Sequence, residues 1–440
     1  TRFYPLKDLS GITLGYVGEI SSEKLKRYRS EGEKGYSMGD EIGVSGLEKT
    51  WEKYLRGQDG YEQRIVDATG RVVTTEDLSS LLHEEEAVSG NHLVTTLDLD
   101  LQRYAQERFG QRTGAAAVLS VKTGEILAFV SRPSYDPNIL SGNVSPEQWK
   151  SLIEDPMKPF LNRLYQAAYP PGSTYKIIVA AAALEEGVID FKQTVYCPGH
   201  LYFGRLFRCW KEGGHGTVNI KKAMVESCDV FFYEMGRRLG VDRIAKYAKK
   251  FGLGEKTGIQ LEGESAGLIP TQEWKLKNRH QAWMKTEDLS IAIGQGYDLV
   301  TPLQNALLIA AVANGGKKIR PFLVSEAKTP AGEVVYRFEP EEGERIGLKP
   351  ETIQFLQEAL IGVVKDNGGT AHGLSWRKVS MAGKTGTAQV VSEEGKSRFK
   401  GLKGDHSWFV AYSPTEAPEI AISVLVEHGG HGSSVAAPMA

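Results

Sequence analysis

A serine followed three residues later by a lysine, at the head of an apolar helix, has the makings of an activated nucleophile. Such a pair stands in Pro170-Pro171-Gly172-Ser173-Thr174-Tyr175-Lys176. The prolines and glycine end whatever precedes, and Ile177 to Leu184 continues as an alanine-rich run that reads as a helix buried nearly all round. Residues i and i+3 share one helical face, so Ser173 Oγ and the Lys176 amine are expected to meet. Taking a lysine into a buried helix penalises its charged form, lowers its pKa and yields a neutral amine that activates the serine. The same residues also fit a plain helix start, with Ser173 as N-cap and a lysine that snorkels outward. Context decides, because S-x-x-K occurs five times, at Ser21, Ser173, Ser325, Ser375 and Ser397. Only Ser173 opens a long apolar helix; the other four sit in polar, charge-rich surroundings.

Two further motifs supply partners. Lys384-Thr385-Gly386-Thr387-Ala388 lies in Met381 to Val391, a stretch with β character. The lysine attracts an anion or a relay hydroxyl, Thr385 and Thr387 offer hydroxyls, and Gly386 lets a substrate backbone lie close to the strand. K-T-G also occurs at Lys122 and Lys256, both read as turns. Ser227-Cys228-Asp229 stands at the base of the run Val230-Phe231-Phe232-Tyr233. A second serine hydroxyl near the first pair shuttles a proton between lysine and leaving group, while Asp229 offers acceptors to a peptide or orients a lysine. By itself this tripeptide also reads as a polar loop capping a helix.

Every cysteine, Cys197, Cys209 and Cys228, falls in one short window that also contains His215. Cys₃His suits a structural tetrahedral zinc, although the spacings 12, 6 and 13 match no zinc finger or ribbon. Buried free thiols, or one disulfide with a free cysteine, are the other readings. Gly213-Gly214-His215-Gly216 is expected to give the histidine a flexible, exposed approach, with His200 as a competing ligand. His406, His428 and His431 belong to the last strands and read as cleft rim or solvent-facing.

The elements that must position these groups follow in order. Residues 1–94 are polar and turn-rich, with a strand at Ile12 to Ile20, helices at Ser22 to Arg29 and Leu47 to Arg56 (capped by Ser45), a hairpin at Gln63 to Val73 and an acidic loop at Glu76 to Asn91. Residues 95–440 begin with a helix through Phe109 capped at the Asp98 step. The strands Ala115 to Ser120 and Glu125 to Val130 follow, around the turn Lys122-Thr123-Gly124. Helices then dominate: Pro146 to Glu154, the Ser173 helix, Ile220 to Met235, Val241 to Phe251, Pro302 to Asn314 and Pro350 to Asp366. Strands at Ser380 to Val391, Ser407 to Tyr412 and Glu419 to His428 close the chain. Hairpin, helical block, then strands is an α+β pattern in which both ends build one antiparallel sheet. The chain divides into a smaller domain, 1–94, and a catalytic domain, 95–440.

With 440 residues there is chain enough for two or three domains. A formal net charge of -2 gives no support for nucleic-acid binding. The longest apolar runs are about eight residues, far short of a membrane span. The chain starts at Thr1 and shows no signal peptide, as expected of an excised portion of something longer.

S-x-x-K at Ser173, S-x-D at Ser227 and K-T-G at Lys384, in that order and each in a fitting element, are the signature set of penicillin-recognising serine acyl-enzymes. Beyond these motifs, nearly the whole chain resembles the class B penicillin-binding proteins, and within them the penicillin-binding protein 2 group that serves cell elongation and cell shape. Gly15-Tyr16-Val17-Gly18, Gly43-Val44-Ser45-Gly46-Leu47-Glu48 and Leu55-Arg56-Gly57 look like that family's N-terminal pedestal (dimerisation-type) domain. Tyr169 to Lys176, Gly294 to Gln304 and Glu427-His428-Gly429-Gly430 look like its transpeptidase domain. Most relatives carry Asn where this chain has Asp229, and an ionised Asp cannot donate a hydrogen bond as Asn does.

The resemblance implies a peptidoglycan D,D-transpeptidase. Ser173 would attack the penultimate D-Ala carbonyl of a stem peptide, Lys176 would take its proton, and Ser227 and Lys384 would relay one to the departing D-Ala. Asp229, Thr385, Gly386 and Thr387 would bind substrate, with the N–H groups of Ser173 and Thr387 as oxyanion hole. An amine of a second stem peptide would complete the cross-link, and β-lactam antibiotics would acylate Ser173. Some penicillin-binding protein 2 members hold zinc on mixed Asp, His and Cys ligands at positions matching Cys197, Cys209, His215 and Cys228. Zinc bound there would pin Ser227 and Asp229 from behind, while the acyl transfer itself needs no cofactor. The implied setting is the periplasmic side of a bacterial inner membrane, with a membrane anchor outside this sequence and a membrane glycosyltransferase of the shape, elongation, division and sporulation (SEDS) family as partner. A D,D-carboxypeptidase or serine β-lactamase is the alternative enzyme; a β-lactam sensor or silent wall-synthesis scaffold is the alternative of another class.

Overall fold

A computed structural model describes residues 2–32, 35–73, 83–142, 144–341, 343–389 and 404–440. The Ser397/Lys400 pair, the 390–391 end of the expected strand and the 76–82 part of the acidic stretch lie outside these residues. The chain folds as two compact units. The first comprises Thr1–Thr95 together with Tyr135–Trp149 and Val324–Glu339. A contiguous boundary at residue 94 omits the last two segments, which join because Val324–Lys328 pairs antiparallel with His92–Thr95 on one side and Val334–Arg337 on the other. Strand partners 230 residues away leave no local signal.

Within this unit two expectations fail for local reasons. Ile12 to Ile20 is not one strand: Gly11–Leu14 is a helical turn and only Val17–Glu19 is extended, pairing with Glu41–Gly43. Gly15, at φ +79, ends that turn where a Cβ would stand 1.9 Å from Ser45 O. The expected helix Leu47 to Arg56 is two pieces, Gly46–Thr50 and Glu52–Leu55, interrupted at Trp51, whose ring packs against Tyr54 and Tyr336. Ser45 does not cap it; its hydroxyl faces Tyr135 OH at 3.3 Å.

The second unit carries the chemistry. It opens with α1 (Leu99–Phe109), capped by Asp98 Oδ1 on the Leu101 N–H, and continues with β1 (Gly114–Ser120) and β2 (Ile126–Arg132). After α2 (Lys176–Glu185) and α3 (Asp229–Leu239) come α4 (Pro302–Ala313), entered through a Thr301/Gln304 capping box, and α5 (Pro350–Lys365). β3 (Ala382–Ala388), β4 (His406–Ser413) and β5 (Ile420–Val426) complete one antiparallel sheet in the order β3-β4-β5-β1-β2. Both ends of the chain thus build a single sheet, with β5 beside β1, as the α+β pattern predicts. One sheet face is covered by α1 and α5 through Phe109, Val363, Val364, Phe409 and Val424; α4 packs on the other. β3 is left as an edge strand, the position from which a strand can offer main-chain groups to a ligand.

Candidate active site

Ser173 lies in a 3₁₀ turn, Gly172–Tyr175, that runs straight into α2. From Pro171 to Ala183 every residue is buried except Ser173, which is partly exposed. The turn is wedged between β3 and the loop around Gly294. Gly172, at φ +55, could carry no Cβ without meeting Thr387 O at 2.6 Å, and a Cβ on Gly294 would stand 2.2 Å from Gly172 O. Its amide donates to Gly294 O at 2.9 Å. Asn305 Nδ2 donates to Thr174 Oγ1, which donates in turn to Pro171 O, and Trp408 Nε1 donates to Pro170 O. Gly386 serves this packing too: a Cβ there would press on Trp408 Cβ, Pro171 O and Thr174 Cγ2. The close approach that Gly386 permits here is that of the nucleophile turn, a packing role beside the substrate role expected of it.

The stretch expected as one helix, Ile220 to Met235, is two, Ile220–Val225 and Asp229–Leu239, and Ser227 stands in the break at φ +55. This left-handed conformation is uncommon for a non-glycine residue and lets Ser227 face both lysines. Lys176 Nζ donates to Ser227 O (3.0 Å), Ser227 Oγ (3.1 Å) and Asp229 Oδ1 (2.6 Å), while Lys384 Nζ donates to or shares a proton with Ser227 Oγ at 2.9 Å and meets Thr385 O at 3.1 Å. All three ammonium hydrogens of Lys176 are thereby engaged, and its hydrogen bonds go to Ser227 and Asp229 rather than to Ser173. A hydrogen bond from Lys176 to Ser173, as i,i+3 spacing leads one to expect, is not among them; the amine is drawn to the Asp229 carboxylate at 2.6 Å. Both Asp229 oxygens have protein partners, the second accepting the Trp210 N–H at 2.9 Å. Asp229 orients the lysine, the second of the two roles its position suggested.

The lysine whose amine burial pushes well below the ordinary value is Lys384; desolvation is the first cause, the neighbouring Lys176 charge the second, and Asp229 opposes both. On the same strand, Thr387 O accepts from Gln295 Nε2 at 3.2 Å, away from β4. In an antiparallel ladder a residue's N–H and C=O point the same way, so the Thr387 N–H also faces the free edge beside Ser173. Thr385 Oγ1 and Thr370 Oγ1 lie 2.7 Å apart, and Thr387 Oγ1 accepts the Gly432 N–H at 3.4 Å.

Cys197, Cys209, His215 and Cys228 converge behind Ser227, their ligand atoms all within 4.8 Å of one another and all four residues buried. All three cysteines are free. His215 Nδ1 lies 3.6 Å from Cys197 Sγ and 3.4 Å from Cys209 Sγ. Those separations match the edge of about 3.6 Å of a tetrahedron with zinc–nitrogen and zinc–sulfur bonds of ordinary length. The Cys209 thiol is held well below its usual pKa, first by the Cys228 hydrogen bond and then by His215 against burial, and Cys228 is raised in consequence. Two sulfurs sharing a proton beside an imidazole suit a soft cation. The glycines give no exposure: Gly214, at φ +73, lets the loop press on Cys197, where a Cβ would stand 2.2 Å from Cys197 O. His200 is exposed on the strand His200–Phe203, outside the cluster. His406 is not simply rim: it stacks edge-on against Tyr169, and burial brings its pKa down to about 4.

The remaining pattern matches serve structure. Ser21 caps a helix on the Lys24 N–H, Ser325 Oγ donates to Val94 O, and Ser375 and Lys378 are exposed. Thr123 binds Glu125 in a turn, and Thr257 binds Glu264 in a loop. Trp210, Gln295, Asn305 and Thr370 belong to the site without having been singled out from sequence. Asp298 and Tyr175 are likewise unforeseen, fully buried together below the nucleophile turn, where desolvation raises the Asp298 pKa well above the carboxylate range. Trp210 had a signal in its place directly after Cys209, and Gln295 and Asp298 in the stretch Gly294 to Gln304.

Residues 114–440 match the penicillin binding protein transpeptidase domain, and residues 1–95 the penicillin-binding protein dimerisation domain. The chain belongs to the penicillin-binding protein transpeptidase family. It is 37% identical to the peptidoglycan D,D-transpeptidase MrdA of Acinetobacter baumannii over 99% of this chain and 64% of that protein, so it spans just under two thirds of the relative. The fold is similar to that of penicillin-binding protein 2 from Helicobacter pylori, solved in complex with MreC (TM-score 0.86, 33% identity, 99% of this chain and 77% of that one). It is also similar to a chain of a peptidoglycan synthase complex that coordinates polymerization and crosslinking (TM-score 0.84, 34% identity, 99% and 74%). These likenesses make the chain a class B, penicillin-binding protein 2 type member of the family.

Proposed function

We propose that this chain catalyses peptidoglycan D,D-transpeptidation through an acyl-enzyme on Ser173. The observation that carries the reading is one partly exposed serine in a buried turn, beside a Lys176–Ser227–Lys384 cluster and an edge-strand N–H. Ser173 Oγ attacks the penultimate D-Ala carbonyl, forming a C–O bond, while the N–H groups of Ser173 and Thr387 stabilise the oxyanion. The cluster takes the serine proton, Lys384 being the amine whose charged form burial disfavours, and returns one to the D-Ala nitrogen as the C–N bond breaks. An acceptor amine from a second stem peptide then repeats the attack in reverse and frees Ser173. Thr385 and Thr387 hold the terminal carboxylate. β-Lactams enter by the same attack.

Labelled penicillin tests this directly. A long-lived adduct is expected, lost in Ser173→Ala; turnover within seconds would point to a β-lactamase, and no adduct in the unaltered protein to a sensor or scaffold.

Cys197, Cys209, His215 and Cys228 would hold a structural zinc ion, which would supply rigidity beneath Ser227 and Asp229 and no part of the acyl transfer. About one zinc per chain is expected on elemental analysis, and chelation should lower the melting temperature and open the thiols to titration. Metal-free protein with three readily titrated thiols in the native state would reject it.

Peptidoglycan lies outside the cytoplasmic membrane, so the reaction belongs on the periplasmic face of a bacterial inner membrane. Among the described residues no helix is long and apolar enough to cross a membrane, and the anchor would be carried elsewhere in the protein. The MreC complex of the Helicobacter pylori relative supports assembly with MreC, and a SEDS-family glycosyltransferase would be the second partner.

A further inference from the structure

Trp210 is an unusual tryptophan. It follows Cys209 directly and is 59% exposed, yet both of its N–H groups point inward. Its main-chain N–H donates to Asp229 Oδ2 at 2.9 Å. Its indole Nε1–H donates to Ser227 O at 3.0 Å and to Glu226 O at 3.1 Å. The ring stands edge-on to His215, with centroids 5.5 Å apart. One residue therefore touches the thiol–imidazole cluster on one side and both non-lysine members of the proton-handling cluster on the other.

The consequence for Lys176 is geometric. Ser227 O and Asp229 Oδ1 are two of the three acceptors that fix its amine, and each belongs to a group that Trp210 holds from behind. Ser227 is also in a left-handed conformation that its own side chain does not favour, so something outside must hold the peptide there. Cys228 anchors this tripeptide from within; Trp210 anchors its first residue by the carbonyl and its third by the carboxylate.

We propose that Trp210 is a positioning residue for acyl transfer, transmitting the geometry of the Cys197, Cys209, His215 and Cys228 cluster to Lys176 through Ser227 and Asp229. The inference rests on the acyl-enzyme reading given under Proposed function. It makes the cluster's influence on Ser173 depend on Trp210 as well as on Cys228, and it assigns the exposed indole a task that its burial would not suggest.

The test uses Trp210→Phe, which keeps an aromatic ring and the main-chain donor while removing the indole N–H with the part of the bicyclic ring that carries it, and Cys209→Ser, which loosens the attachment of the main-chain donor. Acylation by labelled penicillin is followed at a series of concentrations to separate initial binding from the covalent step, alongside thermal melting. Trp210→Phe is expected to slow the covalent step about 5- to 20-fold, the range of one lost hydrogen bond to a buried acceptor, with initial binding unchanged. Its melting temperature should stay close to that of the unaltered protein. Cys209→Ser should slow the same step, and the double variant should lose much less than the product of the two single effects, as residues in one chain of contacts do. Unchanged acylation in Trp210→Phe, a loss in initial binding alone, or multiplicative effects in the double variant would overturn the role. An unaltered protein that forms no Ser173 adduct would instead reject the acyl-enzyme reading, and this role with it; only the former outcomes leave that reading standing.

Discussion

Lys176→Met is expected to destabilise the protein by about 3 kcal/mol at neutral pH and to slow acylation by labelled penicillin at least ~10³-fold. The first effect comes from what the lysine leaves behind. Asp229 is buried, its Oδ1 bound by Lys176 Nζ at 2.6 Å and its Oδ2 by the Trp210 N–H. Removing the cation strands a carboxylate whose side chain is only 12% exposed, the costly half of a broken buried pair. The double variant Lys176→Met/Asp229→Asn should therefore recover most of the lost stability while remaining inactive. Urea denaturation of the three proteins makes the comparison; equal stability of the single and double variants would show that the ion pair is not what holds this region. The same substitution removes one of the two amines on Ser227 Oγ and leaves Ser173 without the base cluster described above.

Lys384→Met should move stability the other way. Lys384 is fully buried and is pushed well below the ordinary lysine pKa, first by burial and then by Lys176. Between that depressed value and the unfolded value of about 10.4, the unfolded chain binds a proton that the native protein releases. Stability therefore rises with pH across this window, and the penalty is fully present below it. An apolar side chain of similar length escapes the penalty, so Lys384→Met is expected to gain about 1–4 kcal/mol at neutral pH, the range found when buried ionic groups give way to apolar ones. The advantage should shrink towards pH 10. Acylation should nevertheless fall ~10²- to 10⁴-fold, because the amine facing Ser227 Oγ at 2.9 Å is gone. Melting curves from pH 6 to pH 10 provide the check: a variant less stable than its parent at neutral pH, or an advantage that grows with pH, would contradict the assignment of Lys384 as the desolvated amine. Opposite signs at two lysines that share one serine follow from their hydrogen-bond partners, a carboxylate for Lys176 and, among the described residues, only Ser227 Oγ and Thr385 O for Lys384.

These two lysines also mark where reading the chain and seeing it folded part company. Both were picked out from spacing, as were Ser173 and Ser227, and all four meet in one cluster. The alanine-rich helix draws attention to desolvation at Lys176 alone, whereas the fold also buries Lys384 completely and pushes its amine well below the ordinary value. The fold gives Lys176 a carboxylate 53 residues away and gives Lys384 burial on an edge strand. Burial and partner charge are sums over neighbours brought in by other segments, so helix composition could not foresee the desolvation of Lys384. Gly386 makes the same point: a strand glycine signals that something approaches closely, and the approaching group is Pro171 and Thr174 of this chain.

The amino-acid sequence by itself determined the family, the nucleophile turn, the order of motifs, the α+β sheet built from both chain ends and the set of thiols gathered with His215. Each is written in short-range signals: Pro-Pro-Gly before Ser173, alternation in the strands, turn residues between them, three cysteines in one window. Only the tertiary structure decided that Ser227 sits in a left-handed break between two helices, that Asp229 binds Lys176, that Val324–Lys328 completes a sheet in the first unit, and that Trp210 joins the thiol cluster to Ser227 and Asp229. Those outcomes depend on contacts between residues tens to hundreds of positions apart, whose energies belong to the assembled neighbourhood and leave no periodic trace along the chain.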